Sequence, residues 1–132
     1  MKKAVIVEDF KLIADIWHST LLEEGFDIIE VVRNSDEVES VIQTVQPNIV
    51  LMDINLPGRH NGLELTDLLL KTHPELSILI LTIHTEPTYI QRAMQSGAKG
   101  YVTKNSSLSE LKLAINEVLA GKTYLCEEIR TS

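Results

Sequence analysis

A single cysteine, Cys126, stands among 132 residues, so neither an internal disulfide nor a cysteine-built zinc site can staple this chain, and the thiol is expected to be idle or buried. Long hydrophobic runs are missing as well. No apolar stretch approaches the roughly 20 residues that cross a bilayer, and Met1-Lys2-Lys3 leads into only four apolar residues before Glu8, too short for a secretory signal. A cytoplasmic setting with no membrane contact is therefore expected. Positive charge is scarce too. Twelve Lys and Arg face nineteen Asp and Glu, for a net charge of −7, and no basic run exceeds Lys2-Lys3, which disfavours direct binding to a phosphate backbone. There is no internal linker, low-complexity tract or solenoid repeat, and no glycine-rich loop follows the first apolar run, which weakens a nucleotide-binding reading.

What the chain does have is 44% hydrophobic residues, enough at this length for one globular domain with its own core. Short apolar runs alternate with stretches of helical period about five times. Ala4-Val5-Ile6-Val7, Ile28-Ile29-Glu30-Val31-Val32, Ile49-Val50-Leu51-Met52, Ile78-Leu79-Ile80-Leu81 and Gly100-Tyr101-Val102-Thr103 read as strands. The first, third and fourth are apolar at consecutive positions, as in parallel strands covered on both faces. Between and after them, stripes such as Ile13, Ile16, Trp17, Thr20 and Leu21, or Leu111, Ala114, Ile115 and Val118, mark helices with one buried face. Gly25, Gly97 and Gly121 sit where helices should stop. Ser35 and Ser107 read as N-caps, Ser107 with Glu110 three residues on as a capping box. Five βα units joined by right-handed crossovers give a doubly wound α/β sandwich.

In an open parallel sheet, ligands bind beyond the carboxyl ends of the strands, near the point where strand order reverses. That rule selects Glu8 and Asp9 after the first strand, Asp53 after the third, Thr82 after the fourth and Lys104 after the fifth. Taken singly, an Asp at a strand-to-loop junction is commonly a turn former, and a strand-terminal Thr or Lys is commonly filler or solvated. The conjunction carries the inference. Three gathered carboxylates repel one another unless a cation lies between them, and hard oxygen ligands in this number suit Mg²⁺. Asp53, alone at a central strand's tip before Asn55-Leu56-Pro57-Gly58, is the best nucleophile toward phosphorus. Thr82 and Lys104 could then bond to the phosphoryl oxygens as charge spreads over them.

Those residues are where the chain resembles the receiver domain of two-component response regulators, over about Lys3 to Leu125. The resemblance implies a flavodoxin-like (βα)5 fold with a five-stranded parallel sheet of order 2-1-3-4-5. It implies Asp53 as phosphoacceptor, Glu8 and Asp9 as the acidic pair holding Mg²⁺ together with Asp53, and Asn55 as a metal ligand through its main-chain carbonyl. Thr82 and Lys104 would contact the phosphoryl group, and Tyr101 matches the switch aromatic that turns inward when Thr82 is drawn toward the phosphoryl oxygens. Leu81-Thr82-Ile83-His84, Gly97 to Lys104 and Gly121-Lys122-Thr123-Tyr124-Leu125 look like the NarL/FixJ type, whose members usually continue into a helix-turn-helix domain. The expectation is a receiver at residues 1–125 with the start of a linker at 126–132, touching DNA only through an output domain absent from this chain. Its implied partners are a sensor histidine kinase or phosphotransfer protein and, on phosphorylation, a second copy of itself.

Three features depart from the common pattern. Asn105 follows Lys104 where many receivers have proline. The loop Pro57-Gly58-Arg59-His60-Asn61-Gly62 is one residue longer than usual. Ile83 is bulkier than the small residue often found after the hydroxyl and, with Asn55 and His84, is expected to modulate water's access to the phosphoryl group. Other readings are a stand-alone or pseudo-receiver that binds partners without phosphorylation, and a phosphohydrolase of the haloacid-dehalogenase type. The latter needs a second Asp two residues after the nucleophile as general acid. Asn55 occupies that position and cannot exchange a proton in that way.

Overall fold

The computed structural model describes residues 1–131. Strand β1 (Lys3–Val7) leads into helix α1 (Lys11–Glu23), β2 (Ile28–Val32), α2 (Val38–Val45), β3 (Ile49–Met52), α3 (Gly62–Thr72), β4 (Ile78–Thr82), α4 (Pro87–Gln95), β5 (Gly100–Thr103) and α5 (Leu108–Leu119). The chain then adds β6 (Tyr124–Leu125) and a short α6 (Glu127–Thr131). All strand pairs are parallel, in the order β2-β1-β3-β4-β5-β6. The core order matches the expectation, but the sheet has six strands and not five. The two-residue β6 was invisible to pattern reading because a run this short has no periodicity to detect.

The alternation of side chains along each strand divides the interior into two layers. Val5, Val7, Val50, Met52, Ile78, Ile80 and Tyr101 face α2, α3 and α4, where Val38, Ile42, Leu65, Leu69 and Ala93 meet them. Ala4, Ile6, Ile49, Leu51, Leu79, Leu81 and Val102 face α1 and α5, against Trp17, Leu21, Leu111, Ala114, Ile115 and Val118. With both faces covered, β1, β3 and β4 are buried almost throughout, as their unbroken apolar runs require. No helix among the described residues is long and apolar enough to cross a membrane.

Two details of helix capping differ from the sequence reading. Ser35 is not a cap: Asn34 accepts from Asp36 N and starts a 3₁₀ turn over Ser35–Glu37, while Ser35 is buried inside it. Ser107 does cap α5 by accepting from Glu110 N. The Glu110 carboxylate, however, turns to Tyr124 Oη–H and Glu127 N, both at 2.7 Å, so its second role is to hold the C-terminal segment. The complete capping box lies instead at α3, where Asn61 and Glu64 bond reciprocally.

Residues 126–131 are folded, where the start of a linker was expected. Cys126 is fully buried, its N–H bonds to Tyr101 O, and Glu128 accepts from the Thr103 hydroxyl. The α3 start is set by Gly62, whose N–H donates to Ile54 O at 2.7 Å. A Cβ there would fall on the Asp53 carbonyl oxygen. Because backbone cannot yield as a side chain tip can, Gly62→Ala is expected to lose about 3 kcal/mol or more in urea unfolding, as severe overpacking does; a loss within experimental error would contradict this close approach.

A candidate phosphoryl-transfer site at the carboxyl ends of the strands

The register puts the β1 and β3 tips side by side, with Val7 opposite Met52 and Asp53 N bonded to Val7 O at 3.0 Å. Glu8 and Asp53 therefore emerge next to each other, and both are buried. Across β4, Thr82 is paired with Thr103, and Lys104 N donates to Thr82 O at 2.8 Å, which aims the lysine over the same rim. Its ammonium stands 2.7 Å from Glu8 Oε1 and 3.3 Å from Asp53 Oδ2.

Glu8, Asp9 and Asp53 each offer an oxygen within 4.8 Å of the other two. Glu8 Oε2 accepts from Phe10 N at 3.1 Å, and Asp53 Oδ1 accepts from Ile54 N at 2.8 Å. Glu8 Oε1 has the Lys104 ion pair, yet it accepts no hydrogen bond of good geometry among the described residues. Two buried carboxylates that share one ammonium, beside a third acidic oxygen, fit a hard divalent cation. Asp9 is the exposed member of the three.

Burial pushes the Asp53 carboxyl up to about 6, and the Glu8 charge adds to the rise. Lys104 and the Ile54 N–H oppose it without cancelling it. Lys104 is partly desolvated, which disfavours its charge, but Glu8 and Asp53 together hold it more firmly protonated than a free lysine.

Thr82 is fully buried, and its hydroxyl accepts from His84 N at 3.3 Å. Tyr101 is fully buried and already points inward, its hydroxyl donating to His84 O at 2.7 Å; burial raises its proton affinity well above the ordinary phenol range. At the mouth, His84 Nε2 lies 3.2 Å from Asn55 Oδ1, and His84 Nδ1 lies 3.2 Å from Glu86. The Asn55 side chain is thus engaged by His84. Ile83 is 63% exposed and stands apart from this network. No cis peptide bond occurs among the described residues, Lys104–Asn105 included.

Sequence reading selected the groups that gather here, but not the residues of the β2–α2 connection that touch them. Arg33 Nη2 donates to Asp9 O at 2.7 Å, and Ser35 contacts the loop after Asp53. Neither lies at a strand tip or in a motif, so only the three-dimensional contact reveals them.

A parallel sheet with this order, carrying two acids after β1, one after β3, a hydroxyl after β4 and a lysine after β5, defines a phosphoacceptor-type domain. The model of the response regulator receiver domain matches residues 4–116, and the chain belongs to that family. It is 32% identical over 130 residues to the response regulator GacA of Pseudomonas aeruginosa, covering 98% of this chain and 60% of that protein. To the oxygen regulatory protein NreC of Staphylococcus haemolyticus it is 29% identical over 131 residues, with the same shares covered. The chain thus spans about 60% of the length of these relatives. Among solved structures, a LuxR-family two-component response regulator from Aurantimonas superposes with a TM-score of 0.90 at 29% identity, covering 98% of this chain and 92% of that one.

The raised Asp53 carboxyl has a consequence for stability. A carboxyl whose proton affinity is higher folded than unfolded stabilises the fold below its unfolded value of 3.8 and loses that contribution as the pH rises through about 6. The direction of the loss follows from the direction of the shift. Asp53→Asn is therefore expected to raise the urea midpoint of the metal-free protein at pH 7.5, with the gain shrinking toward pH 4. A destabilised Asp53→Asn at pH 7.5 would contradict the crowding of charge described here.

Proposed function

We propose that Asp53 accepts a phosphoryl group from a histidine kinase or phosphotransfer protein, and that Glu8, Asp9, Asp53 and the Asn55 carbonyl hold Mg²⁺ for that step. The carrying observation is the shared rim. Two buried carboxylates, one exposed carboxylate and one ammonium converge within ion-pair reach, and the chain belongs to a phosphoacceptor family.

Asp53 Oδ2 attacks phosphorus while the bond from phosphorus to the donor nitrogen breaks, leaving an aspartyl phosphate and the neutral donor imidazole once it has been protonated. Mg²⁺, when bound, offsets the charge of the transferring group and fixes its orientation. Lys104 then exchanges its contact with Asp53 Oδ2 for one with the phosphoryl oxygens, and the Thr82 hydroxyl donates to another. Water later attacks the same phosphorus and regenerates Asp53. The chain is a stoichiometric reactant in this cycle and not a turnover enzyme acting on a free substrate.

Asn55 follows Asp53 by two residues and bonds to His84, which follows Thr82 by two, so these two side chains, with the exposed Ile83 between Thr82 and His84, set how easily water reaches the acyl phosphate. Tyr101 and Thr82 are joined through His84, Tyr101 by the carbonyl and Thr82 by the N–H. A pull on Thr82 is thus felt at Tyr101, and phosphorylation shifts the population between two conformers of this link by no more than its preference for one of them. In a longer cytoplasmic protein of the NarL/FixJ type, the readout would be a DNA-binding output domain following the receiver, with dimerisation as one route to it.

Incubating the protein with Mg²⁺ and phosphoramidate, then measuring intact mass, should show one added phosphoryl group. Asp53→Asn or chelation of the metal should abolish the gain. An undiminished gain in Asp53→Asn would overturn the assignment.

A further inference from the structure

We propose that the β2–α2 connection, residues 32–36, is a clip that positions both metal-facing loops, with Arg33 and Ser35 as its positioning residues; the inference rests on the phosphoacceptor reading and extends it. On one side the clip holds the β1–α1 turn. Glu8 N donates to Val32 O at 3.1 Å, and Arg33 Nη2 donates to Asp9 O at 2.7 Å. The guanidinium takes the neutral main-chain oxygen, so the Asp9 carboxylate stays free to face the cation.

On the other side the clip holds the loop after Asp53. Ser35 N donates to Pro57 O at 2.9 Å, and the buried Ser35 hydroxyl accepts from His60 N at 3.2 Å. Asp36 Oδ1 accepts from Arg59 N at 3.1 Å. Gly58, at φ +114°, lies so close that a Cβ would fall on Ser35 Oγ and stand 2.7 Å from Asn34 Oδ1. The Asn34 oxygen is itself fixed by Asp36 N at 2.9 Å.

The loop after Asp53 reaches to the start of α3 at Gly62. Its ends are fixed at Asp53 and by the Gly62 N–H on Ile54 O, which leaves the segment from Asn55 to Asn61 to be held from outside. Pinning its tip to Ser35 determines where the Asn55 carbonyl points. The clip contributes no ligand. Its effect is to order two loops before a cation arrives, so that binding does not have to order them, and supporting contacts of this kind typically matter about 10–100-fold in metal affinity.

The test is a Mg²⁺ titration of the metal-free full chain, read by the fluorescence of the sole tryptophan, Trp17, whose ring centroid lies 5.7 Å from Lys104 Nζ. Arg33→Ala and Ser35→Ala are each expected to raise the Mg²⁺ dissociation constant about tenfold. Gly58→Ala, which forces the same contact apart from the loop side, should weaken Mg²⁺ binding in the same direction. Phosphorylation by phosphoramidate should slow by the same factor at limiting Mg²⁺ and return to the wild-type rate at saturating Mg²⁺. Thr20→Ala removes a different buried hydroxyl, one bonded to Ile16 O within α1, and should lower stability while leaving Mg²⁺ affinity unchanged.

Wild-type affinity in both Arg33→Ala and Ser35→Ala, or losses matched by Thr20→Ala, would overturn the clip alone. Wild-type protein that neither binds Mg²⁺ nor takes up phosphate would overturn the phosphoacceptor reading, and the clip with it.

Discussion

Two buried carboxylates, Glu8 and Asp53, share the single ammonium of Lys104. One positive charge cannot satisfy two buried negative ones, and Asp9 adds a third acid at the opening. The imbalance has two outlets, a proton or a cation. It appears in the folded protein as the raised proton affinity of Asp53. A site built this way is destabilising in itself. It persists because β1, β3 and β5 are fixed by a core that faces both sides of the sheet, so the charged tips have nowhere to retreat.

The same rigidity carries the site's influence outward. Lys104 continues directly from β5, and β5 is also the strand that β6 and α6 close upon. Cys126 N bonds to Tyr101 O, and Glu128 takes the Thr103 hydroxyl. Tyr101 in turn reaches the His84 carbonyl, next to Thr82. One strand therefore carries the lysine at its tip, the inward tyrosine at its middle and the C-terminal segment along its edge. A change at the acidic rim has a short path along β5 and across its hydrogen bonds to residues 126–131.

Much of this was legible in the sequence, for physical reasons that differ by element. The central strands and the α5 stripe were readable because burial on both faces, or on one helical stripe, forces an unbroken or 3.6-periodic apolar pattern. Glu8, Asp9, Asp53, Thr82 and Lys104 were readable because strand tips in a parallel sheet converge, so order along the chain translates into proximity. Ser35 was misread as a cap because serine before an apolar run is the usual signal, whereas here Asn34 takes the turn and frees Ser35 for the neighbouring loop. Strand β6 and the folded tail depend on contacts with Tyr101, Thr103 and Glu110 that leave no periodic trace. The inward position of Tyr101 was likewise beyond pattern, since a half-buried and a fully buried strand tyrosine have the same neighbours in sequence.

The account depends most on the claim that the reactive oxygen belongs to Asp53 and to none of the acids around it. Its most direct test is to treat the chain with Mg²⁺ and phosphoramidate, reduce the acyl phosphate with borotritide, and locate the tritium by peptide mapping. Label confined to the peptide carrying Asp53 is the predicted result. Label on the peptide carrying Glu8 and Asp9, or no label at all under conditions where phosphate is taken up, would contradict it.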